Sequence, residues 1–349
     1  MPHASKIVIH KAGGFDRLVL EQAPTRALGA GEVRIAVDAV GVNYADALVR
    51  RGLYRTAEKY VGWPITPGFE VAGEVSEVAP DVTDLAVGER VFAVTLFGGY
   101  TSELVVKRAF VFHQPTGWTA AQTAAFPSVF MTAWMALFEL AHPRPGATVL
   151  IHSAAGGVGS ALVQLGKIAG LRMVGVVGSS HKVAVARGLG CDEVIDKSTQ
   201  DLWKEAERIA PKGYDLILDA NGVSTLKQSF DHLGPIGKLV IYGFHSMIPT
   251  NKAGKTDWVR LAVDFLRTPR FSPFALTEKN RSVLAFNLSD LFERQDILAI
   301  AMQDLLGWVA AGKIQPPETH TYPMADAALA HQAIESGKTT GKLVLLPRA

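Results

Sequence analysis

The densest run of chemistry-bearing residues is Thr148-Val-Leu-Ile-His-Ser-Ala-Ala-Gly-Gly-Val-Gly159. An apolar strand enters a turn of small residues, and helical spacing begins at once with Val158, Ala161, Leu162, Leu165, Ile168 and Ala169. This is the dinucleotide fingerprint, with Ala154, Gly156 and Gly159 in its three glycine positions. Small residues let the backbone turn sharply and let a pyrophosphate approach the helix N-terminus. Unsatisfied N–H groups and the helix dipole favour negative charge there. The pattern assigns Ala155, Gly156, Gly157, Val158 and Gly159 to the cofactor.

The next strand, Met173–Val177, ends in Gly178-Ser-Ser-His-Lys182, without the acid that NAD enzymes place on the ribose 2′-hydroxyl. A carboxylate about 4 Å from a 2′-phosphate would cost roughly 1–4 kcal/mol. Its absence, with Gly178, Ser179 and Lys182 here and Lys197 after the following strand, predicts NADPH rather than NADH.

These residues need a scaffold, and the sequence describes one. From residue 128 onward, strand-like and helix-like segments alternate: Thr148–His152, Val158–Ala169, Met173–Val177, His181–Leu189, Glu193–Ile195, Leu202–Ile209, Leu216–Asp219, Thr225–His232 and Lys238–Tyr242. Such alternation predicts βαβ units closing a doubly wound parallel sheet, an α/β fold. Ligands of that fold lie at the carboxyl ends of the strands, which nominates Asn221, Gly243, Phe244 and His245. Before residue 128, short alternating strands broken by Gly and Pro predict a β-rich, barrel-like domain. A helical pattern over Ile297–Ala311, a helix around Ala325–Glu335 and a closing strand Lys342–Leu346 read as a return to that first domain.

The chain of 349 residues is 48% hydrophobic and 19% charged with a net charge of +2, which fits a folded two-domain protein without a field for nucleic acid or a membrane. The N-terminus lacks a signal-peptide core, and no uninterrupted apolar run approaches the roughly 20 residues of a membrane span. A cytoplasmic protein is expected. The single cysteine, Cys191, rules out an intrachain disulfide and a cysteine-rich zinc site, and nothing in its neighbourhood would activate it.

Further motifs agree with one another: Gly41-Val-Asn-Tyr-Ala-Asp46, Arg51-Gly-Leu-Tyr54, Pro67-Gly-Phe-Glu-Val-Ala-Gly73, Val87-Gly-Glu-Arg-Val91 and Gly98-Gly-Tyr100. With Ala154–Gly159 they resemble the quinone oxidoreductase branch of the medium-chain dehydrogenase/reductase superfamily. Asn280-Arg-Ser-Val-Leu-Ala-Phe-Asn-Leu resembles the vesicle amine transport protein homologue subgroup. The resemblance covers nearly the whole chain. It implies a GroES-like β-rich catalytic domain (1–127 and 293–349), a Rossmann NADP-binding domain (128–292), an active site in a cleft between them and a homodimer.

Zinc members of the superfamily carry Cys where Asn43 stands and His where Phe69 stands, so the resemblance implies chemistry without a metal. What remains is hydride delivery to a quinone or to an alkene conjugated to a carbonyl. By motif position, Asn43 and Tyr54 would face this acceptor. Asn43, Tyr44, Thr132 and Lys338 would also contact the cofactor, and Glu70 reads as a structural carboxylate. Two rival readings are a 2-enoyl-thioester reductase and an NADPH-binding membrane or trafficking adaptor with little catalysis. The insert 247–282 bears on the latter. Trp258, Leu261, Ala262, Phe265 and Leu266 share a helical face beside Lys252, Lys255, Arg260, Arg267 and Arg270. Asp257 and Asp264 dilute that charge, so a cleft cap or a dimer face is expected rather than a membrane contact.

Overall fold

The computed structural model describes residues 3–247 and 253–348; Lys252 of the insert lies outside them. The described residues within 1–128, 251–255 and 316–349 pack into one unit, and those within 129–250 and 256–315 into a second.

In the second unit, six strands form one parallel sheet. Their order is Glu193–Asp196, Arg172–Val177, Thr148–His152, Tyr214–Asp219, Leu233–Ile241 and Ser282–Ala285. The chain starts in the middle at Thr148–His152, winds outward one way, then returns beside its starting strand and winds the other way. The topological switch point therefore falls between Thr148–His152 and Tyr214–Asp219, where the crevice for ligands opens in such sheets. Leu150, Val174, Ile217 and Leu239 are fully buried, as strands covered on both faces require.

In the first unit the strands run in the order Thr319–Pro323, Lys342–Leu346, Glu32–Val42, Glu70–Val78, Arg90–Val94 and Val111–His113, with Glu103–Lys107 also paired to Glu32–Val42. Val33, Ile35 and Val37 alternate into the core, as the period-two pattern predicts. The closing strand, Lys342–Leu346, lies antiparallel to Glu32–Val42, with Leu343 opposite Val42. The end of the chain is thus built into the middle of this sheet.

The packing units divide the chain differently from the expected domains. The return to the first unit begins at 316 rather than 293. The helix Gln295–Ala310 buries Met302 and Leu305 in the second unit, and its Asp304 accepts from the Trp134 indole at 3.0 Å. A helical run, Ala120–Ala141, is apolar and long enough to cross a bilayer by composition, although Pro127 and Glu139 interrupt it. Of its 18-residue apolar window, 72% is buried, as in a core helix.

Candidate functional site

The fingerprint turn in the second unit is shaped by its backbone. Ser153 adopts φ +60°, so the chain reverses directly after the strand. The Gly156 N–H donates to the Ser153 carbonyl at 2.9 Å, and the helix Gly157–Ile168 starts from Gly156 as its N-cap. A Cβ on Gly159 would lie 2.2 Å from the Ser153 carbonyl oxygen and 2.8 Å from Ala154 Cα, so only glycine fits where the helix crosses the strand. At Gly156 the nearest protein atom to such a Cβ is 3.3 Å away, leaving that glycine's surface open. The first N–H groups of the helix have no acceptor within it, and they crown the turn. The cradle fits a pyrophosphate.

Beside the next strand end, Lys197 Cε passes 3.6 Å from where a Cβ of Gly178 would stand. Lys182 opens the helix His181–Leu189 and is buried. Burial, and then repulsion from Lys197, pull its pKa below the ordinary lysine value. Two ammonium groups therefore face one neighbourhood at Gly178 and Ser179, an arrangement that an added dianion relieves. An acid does stand nearby, and reading the sequence one strand at a time misses it. Asp196 ends the adjacent strand and accepts from Ser180 Oγ at 2.6 Å and Ser198 Oγ at 2.5 Å. Those hydroxyls hold its pKa down at about 2, so the carboxylate is spent fixing the loop.

At the switch point, Asp219 Oδ1 accepts from the N–H groups of Asn221 and Gly222, and Asp219 Oδ2 from Thr225 and Ser229. This sets the Asn221 side chain, whose buried Nδ2 has no partner among the described residues. The Ser153 hydroxyl reaches Asn221 Oδ1 at 3.5 Å, so the fingerprint turn and the end of the neighbouring strand adjoin. The Gly243–His245 loop is tied to the same place: His245 N–H donates to the Ala220 carbonyl and Ser246 N–H to that of Asn221. An orphaned amide donor, a glycine cradle and a lysine pair within one unit fit a dinucleotide that carries a 2′-phosphate.

The first unit holds a second cluster. The Asn43 Nδ2 donates to Glu70 Oε1 at 2.9 Å. Lys342 Nζ donates to Asn43 Oδ1 and pairs with the same Glu70 oxygen at 2.7 Å. Glu70 Oε2 takes the Ser128 N–H at 2.7 Å. Glu70 and Lys342 are buried, Asn43 half-buried. Glu70 is thus the paired carboxylate expected, and Lys342 is a residue that motif reading did not single out. The donors around the Asn43 amide fix which way it points, since Oδ1 must meet the ammonium and Nδ2 the carboxylate.

Below it, buried Asp46 accepts from the N–H groups of Asn43 and Gly68 and from the Tyr100 hydroxyl. Tyr100 also contacts His331, which contacts Arg50, which pairs with Glu335 at 2.8 Å. Burial and the Arg50 charge hold His331 well below its ordinary pKa, so it is neutral. Burial pushes the Asp46 carboxyl up to about 7, against the two amides. Folded Asp46 therefore keeps a proton that the unfolded chain releases near 3.8, and stability falls as pH rises from about 4 to about 7. The slope approaches about 1.4 kcal/mol per pH unit. Urea titrations across this range should show that decline in the wild type and a flatter line in Asp46→Asn. An identical slope in both would assign the decline elsewhere.

Tyr54 precedes the short helix Arg55–Tyr60 and stands edge-on to Phe69 and Phe97, with ring centroids 6.0 and 6.2 Å away. Phe69 and Phe97 are themselves 5.2 Å apart, so an apolar wall stands where zinc members place a histidine. Tyr44 opens the helix Tyr44–Arg50, and burial raises its phenol to about 12. Thr132 lies half-buried in the helix Pro127–Trp134 of the second unit, and Lys338 in the exposed turn before the closing strand of the first. Cys191 is buried, its thiol pushed up to about 12, which excludes a ready nucleophile. Among the described residues, no group of three or more His, Cys, Asp or Glu is placed to hold a metal ion.

Residues 29–124 match the alcohol dehydrogenase GroES-like domain, and residues 189–345 the zinc-binding dehydrogenase family. A synaptic vesicle membrane protein VAT-1 homolog of Danio rerio is 32% identical over 346 residues, spanning 97% of this chain and 69% of the relative. A 2-haloacrylate reductase of a Burkholderia species is 33% identical over 354 residues, 98% of each chain. The crystal structure of Escherichia coli quinone oxidoreductase complexed with NADPH aligns with a TM-score of 0.82 and 26% identity, covering 98% of this chain and 100% of that one.

Proposed function

The chain belongs to the medium-chain dehydrogenase/reductase superfamily, in the branch of quinone oxidoreductases and VAT-1 homologues, and from that premise we propose that it reduces a quinone or an alkene conjugated to a carbonyl, using NADPH and no zinc. It is an NADPH-binding oxidoreductase by kinship; the acceptor is our reading. The observation that carries this reading is the Asn43–Glu70–Lys342 cluster. A position that holds a metal-ligating thiolate in zinc members here holds a neutral amide, locked by a buried ion pair. Such a site lacks the Lewis acid needed to stabilise an alkoxide, and suits an acceptor that is already electron-poor. The name of the Burkholderia relative points to such an acceptor, an alkene conjugated to a carboxyl group.

When bound, NADPH supplies the hydride. The chain's own residues do the rest. Gly156 to Gly159 hold the pyrophosphate at the helix N-terminus, and Ser179, Lys182 and Lys197 hold the 2′-phosphate. Asn221 Nδ2 and the Gly243–His245 backbone meet the nicotinamide side. Asn43 commits one N–H to Glu70 and would offer the other to an acceptor oxygen, with the Tyr54 phenol as a second candidate donor. Donors preset at the oxygen stabilise the enolate or hydroquinone anion as charge develops. The aromatic wall of Phe69 and Phe97 keeps water from that neighbourhood.

Consumption of NADPH by the purified protein should depend on added quinone or enone. Asn43→Ala should lower kcat roughly 100-fold, the range for loss of one oxyanion donor, a larger effect than any loss of NADPH affinity. No turnover over a broad acceptor panel, with NADPH bound, would count against the reading. Lys182→Ala should weaken NADPH binding roughly 10- to 100-fold and leave NADH unchanged, since a charge-assisted contact to phosphate contributes roughly 1.5–3 kcal/mol. Equal losses for both cofactors would place the 2′-phosphate elsewhere.

A further inference from the structure

The second unit contains a cavity of about 780 Å³ that the proposed reduction does not use. It lies between the helix Trp258–Arg267, residues 269–279 and the helix Leu226–Asp231, and it reaches Ser224 and Ser246, in the loops after two parallel strands. Its lining is strongly biased in charge. Lys227, Arg260, Arg267, Arg270 and Lys279 face two carboxylates, Asp231 and Asp264. That leaves +3 in one concavity, against +2 for the whole chain.

Asp231 already serves Lys227 at 2.6 Å and Lys279 at 3.6 Å, and Asp264 meets Arg260 at 3.9 Å. Arg267 and Arg270 have no carboxylate partner among the described residues. The opposite wall is apolar, with Phe230 packed on Phe271 at 5.1 Å beside Leu276.

The long helix is turned the unusual way round. Arg260, Asp264 and Arg267, spaced by four and three residues, line the cavity, while Trp258, Phe265 and Leu266 are 64%, 73% and 78% exposed. A helix that only filled space would turn its apolar stripe inward. Like charges on low-dielectric walls focus a positive potential, and guanidinium forks match the oxygens of a phosphate. We infer that this cavity binds an organic phosphate, with the phosphate on Arg267 and Arg270 and an aromatic or aliphatic body against Phe230 and Phe271. That molecule is either the tail of a phosphate-bearing acceptor or a separate effector.

The test uses the full chain saturated with NADP⁺, so that the dinucleotide phosphate sites are filled. Calorimetry at fixed ionic strength compares phenyl phosphate, inorganic phosphate and phenol. Phenyl phosphate should bind once per chain, at least tenfold more tightly than either fragment. Arg267→Ala/Arg270→Ala should weaken it at least tenfold with NADP⁺ affinity unchanged; both side chains are exposed, so the fold should persist. Phe271→Ser should weaken phenyl phosphate but not inorganic phosphate. Absence of saturable binding, equal affinity for inorganic phosphate (an adventitious ion only), or an unaffected double variant would each overturn the site.

Turnover separates the two sources. Phenyl phosphate competing only against a phosphate-bearing enone identifies an acceptor tail, and an equal change in the turnover of phosphate-bearing and phosphate-free enones identifies an effector. The calorimetry stands even where no acceptor turns over, so failure of the site and failure of the proposed reduction are distinguishable.

Discussion

Gly159→Val is expected to lower NADPH affinity at least 100-fold and to destabilise the second unit, whereas Gly156→Ala should spare stability. The two glycines sit three residues apart in one motif, yet they answer to different neighbours. A Cβ at 159 would stand 2.2 Å from the Ser153 carbonyl oxygen and 2.9 Å from its carbon, both backbone atoms. That backbone cannot yield easily, because Ser153 already occupies the left-handed region at φ +60°. The helix Gly157–Ile168 must then move off the sheet and carry its N–H groups away from the phosphate position. A Cβ at 156 meets only one protein atom, at 3.3 Å, so its cost is felt when the pyrophosphate arrives. Fluorescence titration with NADPH and urea unfolding of both variants would separate the effects. Near wild-type NADPH affinity in Gly159→Val would remove the turn from the cofactor site.

Lys342→Met should destabilise the first unit by about 3–5 kcal/mol, the usual result of stranding one member of a buried ion pair. Glu70 is fully buried, and the ammonium at 2.7 Å is its charge partner. The Asn43 and Ser128 N–H groups would remain on the carboxylate, but neither neutralises it. Activity should fall further than stability explains, because the Asn43 carbonyl oxygen loses the donor that fixes the amide's direction. Lys342→Met/Glu70→Gln should recover at least about 1.5 kcal/mol of the loss, since the uncompensated charge is gone while the hydrogen-bonding shape is retained. Strictly additive losses in urea unfolding would mean that the pair is not coupled.

What the sequence revealed followed how local each signal was. The central strands of the second unit are buried and read as nearly unbroken apolar runs, and Thr148–His152 and the helices His181–Leu189 and Leu202–Ile209 lie where the pattern put them. The helices Tyr44–Arg50 and Arg55–Tyr60 escaped notice. They are seven and six residues long, too short for a periodic signal, and tertiary packing rather than propensity holds them. Gln295–Ala310 was legible as a helix but not by unit, because an amphipathic stripe does not state which core it faces.

The same contrast holds at the sites. The fingerprint turn is one contiguous stretch, and its geometry followed from it. Lys342 meets Asn43 across 299 positions and Tyr100 meets His331 across 231, and no spacing rule connects residues so far apart. Asp196 shows the subtler failure. The first strand's end has no acid, yet the neighbouring strand delivers one to the Ser180 hydroxyl of the same loop.

The interleaving of the closing strand with Glu32–Val42 has a consequence for biogenesis. The sheet that holds Glu32–Val42 cannot be completed until residues 342–346 have left the ribosome, whereas every described strand of the second unit has been made by residue 285. The second unit is thus free to fold on the nascent chain while Val42 and its neighbours wait with an unpaired edge. The ammonium that orients the Asn43 amide is carried on that late strand, so the Asn43–Glu70–Lys342 cluster cannot be assembled before it.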